Sequence, residues 1–111
     1  MDLNYKILYT DSAVNDLDKI LSYLSGYKNP FILTKFKHDT DENLERIMLH
    51  PESHPVIIKH HQYEYRKLII HHYIFVYFVD STNNEITIFR IFHELEDYQN
   101  RLSTNNLKNE E

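Results

Sequence analysis

Hydrophobic residues in the first quarter of the chain follow the period of a helix. They recur every three or four positions at Ala13, Leu17, Ile20, Leu21 and Leu24. This spacing predicts an amphipathic helix with Asp11 or Ser12 at its N-cap and Gly26 at its end. The short run Tyr5–Thr10 before it is rich in β-formers and predicts a strand.

A second amphipathic helix is predicted to begin at Asn29-Pro30, because proline at the first helical position loses no hydrogen bond and the asparagine before it can cap. Its apolar residues are Leu33, Phe36, Leu44, Ile47 and Met48. The helix should end before Pro51 and form a hairpin with the first helix. From His50 to His61 prolines interrupt a polar stretch, so we predict irregular structure there, with Val56–Ile58 as a local anchor.

The last third of the chain has the composition of β-strands. Three runs are dense in β-branched and aromatic residues, namely Tyr65–Ile70, Tyr73–Val79 and Glu85–Phe92. His71-His72 separates the first two runs and the polar segment Asp80–Asn84 separates the last two, so both gaps predict turns. We therefore expect a three-stranded antiparallel meander, followed by a short C-terminal helix.

A hairpin with its tip at His71-His72 assigns the strand residues to two faces. One face carries Arg66, Leu68, Ile70, Tyr73, Phe75 and Tyr77. The other face carries Lys67, Ile69, Ile74, Val76 and Phe78. Because both faces are largely apolar, the helices should cover one and leave the other as a partly wet surface, and the pattern leaves open which is covered. Strand, helix hairpin, meander and short helix together define an α+β fold.

Length and composition indicate one folded domain. The chain has 111 residues, of which 41% are hydrophobic and 14% aromatic, enough for a single core. We expect the domain to span residues 1–102 and to be followed by a polar tail, Ser103–Glu111. The N-terminus carries no secretion signal and the longest apolar run, Tyr73–Val79, is too short for a membrane span. We therefore expect a cytoplasmic protein.

Composition also excludes several kinds of site. Cysteine is absent, which removes thiolate ligands, and Gly26 is the only glycine, which removes glycine-rich phosphate loops. The doubled histidines His60-His61 and His71-His72 do not predict a metal site, because neighbours on a strand point to opposite faces. We therefore expect neither a metal nor a cofactor. The formal net charge of −5 argues against a broad basic surface for nucleic acids.

The last third of the chain resembles the C-terminal half of toxins of the RelE/ParE superfamily. Such toxins have an arginine at the start of the second strand, a tyrosine that opens the third, and an arginine near the end of the fourth, with a histidine and an aspartate after it. The matching residues are Arg66, Tyr73, Arg90, His93 and Asp97. The first strand and helix are also similar to those of the superfamily, so the resemblance covers nearly the whole chain. It is strong over residues 65–98 and loose over residues 27–61.

The resemblance implies the toxin of a bacterial type II toxin-antitoxin system, held inactive by a cognate antitoxin, as a homodimer or a hetero-oligomer. Toxins of this superfamily either cut messenger RNA on the ribosome without a metal or poison DNA gyrase. We expect the ribosome-associated endoribonuclease, because that activity is common in the superfamily. The acidic net charge favours the two alternatives, which are a ParE-like gyrase inhibitor and a non-toxic relative that only binds a partner protein.

The resemblance implies four candidate catalytic residues. Arg66 and Arg90 would hold phosphate oxygens, and His93 or Tyr98 would supply a proton. Each also has a structural interpretation, in which the arginines pair with carboxylates, His93 caps the last helix or bonds its backbone, and Tyr98 fixes that helix on the sheet. The candidate carboxylates are Glu64, Asp80 or one of the C-terminal tail for the first arginine, and Glu94 or Asp97 for the second.

Overall fold

A computed structural model describes residues 5–102, and it places two helices on one face of a five-stranded sheet. The elements in chain order are β1 (Lys6–Tyr9), α1 (Asp11–Ser25), α2 (Phe31–Leu49), β2 (Val56–His60), β3 (Tyr63–Ile70), β4 (Tyr73–Asp80), β5 (Glu85–His93) and α3 (Tyr98–Arg101). The expected tail Ser103–Glu111 lies outside the described residues. Within residues 5–102, no helix combines the length and the apolar character that a membrane span requires.

The strands lie in the order β1-β5-β4-β3-β2. Strands β2 to β5 form an antiparallel meander, whereas β1 runs parallel to β5 and pairs Lys6 with Glu85 and Tyr9 with Ile88. The predicted α+β class, helix hairpin and short last helix are confirmed, as is the meander of the last three strands. The turn at His71-His72 is also confirmed, since Ile70 pairs with Tyr73 across it.

The prediction of irregular structure from His50 to His61 is confirmed over residues 50–55 and was wrong for the residues that follow. Residues Val56–His60 form a strand rather than irregular structure, and His60 pairs with Tyr63 across a two-residue turn. His61 in this turn has a φ of 57°, the left-handed conformation that such tight hairpins require. The usual signal for that turn is asparagine or aspartate followed by glycine, which this sequence lacks at this position.

The cap of α1 also differs from the prediction. Thr10, and neither Asp11 nor Ser12, is the N-cap, because its Oγ1 accepts a hydrogen bond from the Ala13 N–H at 3.1 Å. The same hydroxyl donates to the backbone oxygen of Phe89 at 2.7 Å. Phe89 is the extra residue of a β-bulge in β5, since Val76 pairs with Arg90 and Tyr77 with Ile88. One threonine side chain therefore begins the helix and supports the bulge.

Both faces of the sheet are packed against other elements. The two helices cover the face that carries Arg66, and its fully buried side chains include Phe36, Ile47, Phe75, Tyr77 and Ile88. The opposite face packs against Tyr98 and Leu102 through Tyr65, Ile74, Val76, Phe89 and Phe92. The assignment of strand residues to two faces is therefore confirmed, and the covered face is the one with Arg66.

Candidate functional site

Arg66 on β3 holds the segment that connects α2 to β2. Its Nη1 donates hydrogen bonds to the backbone oxygens of His54 at 2.7 Å and Glu52 at 3.1 Å. Its Nη2 donates to Glu64 Oε1 at 3.1 Å, which is one of the pairings expected from the sequence. Because the side chain is only 12% exposed, these contacts tie the guanidinium group to the fold.

Two further side chains support the same connecting segment. Tyr77 pairs with Arg66 in the sheet, and its hydroxyl donates to the backbone oxygen of Pro51 at 2.8 Å. Burial raises the pKa of Tyr77 to about 12, so the hydroxyl keeps its proton. His54 lies edge-on to the Tyr77 ring, and burial, together with the charge of Arg66, lowers the pKa of its imidazole. The segment is thus anchored by a neutral histidine, a tyrosine and an arginine.

Arg90 on β5 is bound by Asp16 of α1, not by Glu94 or Asp97. Its Nε donates to Asp16 Oδ2 at 2.7 Å and its Nη2 to Asp16 Oδ1 at 3.2 Å. Both side chains are 14% exposed. Such a two-pronged pair is among the stronger polar contacts in proteins, so it fixes α1 against β5.

His93 ends β5 and organises the turn before α3. Its Nδ1 accepts a hydrogen bond from the Leu95 N–H at 3.1 Å, so it bonds the turn before α3 and not the helix itself. A nitrogen that accepts carries no proton, so the neutral ring carries its proton on Nε2. The ring stacks on that of His72 with centroids 6.3 Å apart and meets Tyr73 edge-on at 5.4 Å.

Tyr98 lies on the opposite face of the sheet, in α3. Its ring packs beside Phe92, and the Nζ of Lys67 on β3 lies 3.5 Å from its hydroxyl oxygen. Lys67 did not figure among the four candidates, although it is the neighbour of Arg66 in the sequence and points to the other face. An ammonium next to a phenol hydroxyl is a pair whose N–H and O–H groups can both donate to an anion.

The four candidate residues therefore do not form one cluster. Arg90 and His93 line a shared cavity, the α1–α3 cleft, of about 380 Å³. Its other lining residues are Asp16, Lys19, Ile20, Tyr23, Tyr73, Ile91, Glu96 and Arg101. Arg66 lies beside the connecting segment, and Tyr98 packs on the opposite face of the sheet. Within the cleft, Arg90 pairs with Asp16 and Arg101 with Glu96, so carboxylates offset much of its positive charge.

A larger and more apolar cavity of about 560 Å³, the hairpin groove, continues the cleft. It lies between the connection of the two helices and the tip of the β3–β4 hairpin. Its lining residues are Tyr23, Leu24, Tyr27, Phe31, Ile32, Lys35, His71, His72, Tyr73 and His93. Tyr23 and Phe31 are 61% and 72% exposed, and exposed aromatic residues concentrated in one patch typically mark a binding surface.

Short contacts with carboxylates hold two histidines at the rim of the hairpin groove. His71 Nε2 lies 2.6 Å from Asp39 Oδ2 of α2, and His72 Nδ1 lies 2.6 Å from Glu94 Oε2. The hairpin tip is thus linked to α2 on one side and to the turn after β5 on the other. Burial raises the pKa of Tyr73 on the floor of the groove, with a smaller contribution from Tyr23, so its hydroxyl is a donor at neutral pH.

Sequence reasoning missed the hairpin groove for an identifiable reason. The predicted stripe of α2 began at Leu33, which left Phe31 and Ile32 without a role. The available signal was Phe31, a large apolar residue directly after the helix-starting Pro30 that falls outside the stripe facing the core, whereas Ile32 packs against the core. Asp16 was missed as well, because one acidic residue on a polar helix face carries no sign of a distant partner.

The comparisons with known proteins agree on the fold. The ParDE system from P. aeruginosa has a similar structure, with a TM-score of 0.61 at 19% identity over 83% of this chain and 98% of that chain. A RelBE toxin-antitoxin complex from Mycobacterium tuberculosis is similar with a TM-score of 0.58 at 17% identity, over 86% of this chain and 98% of that chain. An archaeal RelE–RelB complex from Pyrococcus horikoshii is similar with a TM-score of 0.58 at 14% identity, over 84% of this chain and 98% of that chain. No curated protein matches the sequence.

This arrangement of two helices on a five-stranded sheet is that of RelE/ParE superfamily toxins. The family model described as the ParE toxin of the type II toxin-antitoxin system, parDE, matches residues 7–98. The chain belongs to this family of toxins.

Proposed function

We propose that this toxin acts by binding its cellular target, and that the target is DNA gyrase, as the resemblance to ParE toxins implies. The proposal depends on the observation that the two arginines expected to bind RNA phosphates already bind partners within the fold. Arg66 donates to two backbone carbonyls and Glu64, and Arg90 donates twice to Asp16. Gyrase is a cytoplasmic enzyme, so the proposal keeps the expected location.

Both arginines would have to exchange these partners for phosphate. An arginine grips a phosphate with two parallel N–H donors, and in Arg90 the Nε and an Nη2 N–H already bind a carboxylate in that way. Removing the guanidinium group would leave Asp16 at 14% exposure without its counter-charge. In this arrangement the two arginines stabilise the fold, which argues against a catalytic role in RNA cleavage.

Charge supports the same conclusion. RNA cleavage on the ribosome requires a site that attracts phosphates, and affinity for nucleic acids depends on concentrated positive charge. Here the net charge is −5, and in the cleft that Lys19, Arg90 and Arg101 line, the carboxylates of Asp16 and Glu96 offset most of the positive charge. A protein target such as gyrase makes no comparable demand, because a protein interface tolerates mixed charge.

The endoribonuclease expected from the sequence is kept as a second candidate because of one contact. Lys67 and Tyr98 bring an ammonium and a phenol to 3.5 Å of one another on the sheet face opposite to α1 and α2. In an RNA-cutting site Lys67 would neutralise the phosphate and Tyr98 would supply a proton. This candidate uses Tyr98 from the predicted set and replaces the arginines with Lys67.

We propose further that a cognate antitoxin covers the hairpin groove. The similar structures from P. aeruginosa, M. tuberculosis and P. horikoshii are all toxin-antitoxin systems or complexes. In this chain the groove joins exposed aromatic rings to Lys35 and three histidines. An amphipathic segment with acidic residues at its polar edge would match both features. The groove thus supplies the apolar surface that a helical antitoxin segment requires.

Two parallel assays test the proposed target. The purified toxin should inhibit supercoiling by DNA gyrase, and induced cells should accumulate double-strand breaks, while translation in a cell-free extract proceeds undisturbed. Tyr98→Phe removes the phenol of the second candidate and should leave gyrase inhibition unchanged. Arrested translation that this variant restores would establish the ribonuclease instead.

Growth assays show whether the chain is toxic at all. Induction of the toxin alone should slow bacterial growth, and co-expression of the adjacent small gene should restore it. Unaffected growth with abundant folded protein, together with inactivity in both assays, would identify the chain as a non-toxic relative that only binds a partner.

A further inference from the structure

Tyr73 lies where the hairpin groove meets the α1–α3 cleft, and its hydroxyl has no partner in the fold. The residue lines both cavities and is only 7% exposed, and its ring packs edge-on against Phe36 at 5.5 Å. Within residues 5–102 the hydroxyl makes no hydrogen bond, although a tyrosine buried to this extent normally has one. Because burial raises the pKa of Tyr73, the hydroxyl keeps its proton and is a donor at neutral pH.

Two more donors line the same cleft. His93 pairs with Tyr73 across β4 and β5, and their rings meet edge-on at 5.4 Å. Since its Nδ1 accepts from the Leu95 N–H, its proton is on Nε2, and this N–H has no acceptor in the described part of the chain. Lys19 on α1 is exposed and forms no ion pair with any carboxylate of residues 5–102. The cleft thus combines a hydroxyl, an imidazole N–H and an ammonium group.

The other charged side chains that line the two cavities already have partners. Each contacts a side chain that can carry the opposite charge, in the pairs Arg90–Asp16, Arg101–Glu96, His72–Glu94, Lys35–Asp39 and His71–Asp39. Beyond these pairs the cleft offers the three donors of Tyr73, His93 and Lys19. A carboxylate is an acceptor that can use all three, because its two oxygens together accept several hydrogen bonds and its charge suits the ammonium group.

We propose that the antitoxin segment places one acidic side chain in the α1–α3 cleft, where its carboxylate accepts hydrogen bonds from Tyr73, His93 and Lys19. This inference rests on the proposed function, in which the antitoxin covers the hairpin groove, and it adds the contact that fixes the position of the segment along the groove. Apolar side chains on one face of a helical segment pack against Tyr23 and Phe31. An acidic residue further along the same face reaches the cleft, because Tyr23 lines both cavities.

A carboxylate of a protein fits the cleft better than a phosphate of RNA does. A nucleic acid carries a phosphate at every nucleotide, so its neighbouring phosphates would meet the aromatic rings of the groove or the carboxylates of Asp16 and Glu96. A helical protein segment brings a single carboxylate beside apolar side chains. That combination matches one group of donors next to an aromatic groove.

Calorimetry of the toxin with the purified antitoxin tests this contact. Tyr73→Phe removes only the hydroxyl, so it should weaken antitoxin binding by about tenfold and leave the melting temperature of the toxin unchanged. Tyr77→Phe is the matched control and should bind the antitoxin as the wild type does, because the Tyr77 hydroxyl donates to the Pro51 carbonyl and the residue lines neither cavity. Lys19→Met should weaken binding and reduce its dependence on salt concentration. Lys37→Met, at an exposed position of α2 outside both cavities, should do neither.

Substitutions in the antitoxin identify the carboxylate. Each Asp or Glu of its toxin-binding segment is changed in turn to the corresponding amide. At one position the change should weaken binding to the wild-type toxin by about tenfold and binding to the Tyr73→Phe toxin much less, because the two groups contact each other. If the losses add at every position, no carboxylate contacts Tyr73 and the proposal is wrong.

Phe31→Glu separates this proposal from the proposed coverage of the hairpin groove. If Phe31→Glu weakens antitoxin binding while Tyr73→Phe and Lys19→Met bind normally, the antitoxin covers the groove but places no carboxylate in the cleft, and the proposal is overturned. If only the two cleft variants weaken binding, the carboxylate contact stands and the coverage of the groove is wrong. If the cleft variants weaken binding of a short single-stranded RNA and not of the antitoxin, the three donors bind phosphate, which also overturns the proposal.

Discussion

Asp16 on α1 and Arg90 on β5 close the edge of the sheet where β1 has ended. Strand β1 pairs with β5 only as far as Ile88, so among residues 5–102 the backbone beyond it has no neighbouring strand on that side. Asp16 takes the place of that strand, since its Oδ2 accepts from the Ile91 N–H at 2.9 Å as well as from Arg90 Nε at 2.7 Å. A carboxylate thus acts as an edge partner for β5.

The first prediction concerns this carboxylate. Asp16→Asn should lower the free energy of unfolding by about 1.5–3 kcal/mol, because it removes the charge from several hydrogen bonds in a partly buried pair. Asp18→Asn, on the exposed face of the same helix, should change it by less than about 0.5 kcal/mol. Urea unfolding of both variants measures the difference. Equal stability of the two variants would mean that the pair contributes nothing beyond a surface contact.

A second prediction concerns the anchor of the segment after α2. Tyr77→Phe should lower the free energy of unfolding by about 1 kcal/mol, because it removes the hydrogen bond that the hydroxyl donates to the Pro51 carbonyl. Tyr23→Phe provides the control, since that tyrosine is 61% exposed and its hydroxyl contacts only the exposed Tyr27 hydroxyl in the described part of the chain. Thermal unfolding of both variants is the measurement, and a larger loss in the Tyr23 variant would contradict the assignment.

The fold could be predicted where periodicity and turn residues agreed. The helix stripe from Ala13 to Leu24 and the β-dense runs around His71-His72 indicated their elements unambiguously. Strand β2 was not predictable in the same way, because Val56–His60 follows two prolines and pairs through a turn with no glycine. Its pairing depends on β3, which is information that no local pattern contains.

The candidate site was less predictable than the fold. The positions of Arg66 and Arg90 along their strands followed from the pattern, but their partners did not. Asp16 lies 74 residues before Arg90, and the carbonyls that Arg66 binds belong to an irregular segment. The local pattern predicts where an arginine lies along its strand. The partner of its guanidinium group depends on how elements distant in the sequence pack together.

The third prediction concerns pH. Burial and the charge of Arg66 lower the pKa of His54 in the folded chain below its ordinary value of about 6.5. The unfolded chain therefore binds a proton first as the pH falls, so stability is full above about pH 6.5 and declines as the pH falls through the folded pKa. His54→Asn removes this group. The free energy of unfolding of this variant should fall less between pH 7.5 and 5 than that of the wild type. If the two proteins lose stability in parallel over this range, the lowered pKa of His54 does not contribute to stability.

The last prediction tests whether the hairpin groove binds the antitoxin. Phe31, at the start of α2, and Leu49, at its end, are 72% and 71% exposed, so a charge at either position should affect stability to a similar, small degree. Only Phe31 lines the groove. Phe31→Glu should weaken binding of the antitoxin by at least about tenfold, because it removes an aromatic anchor and introduces a charge that must be desolvated. The Leu49→Glu variant should bind the antitoxin as tightly as the wild type does. Calorimetry with the purified antitoxin measures both affinities. If the two variants bind equally well, the antitoxin covers another surface of the toxin.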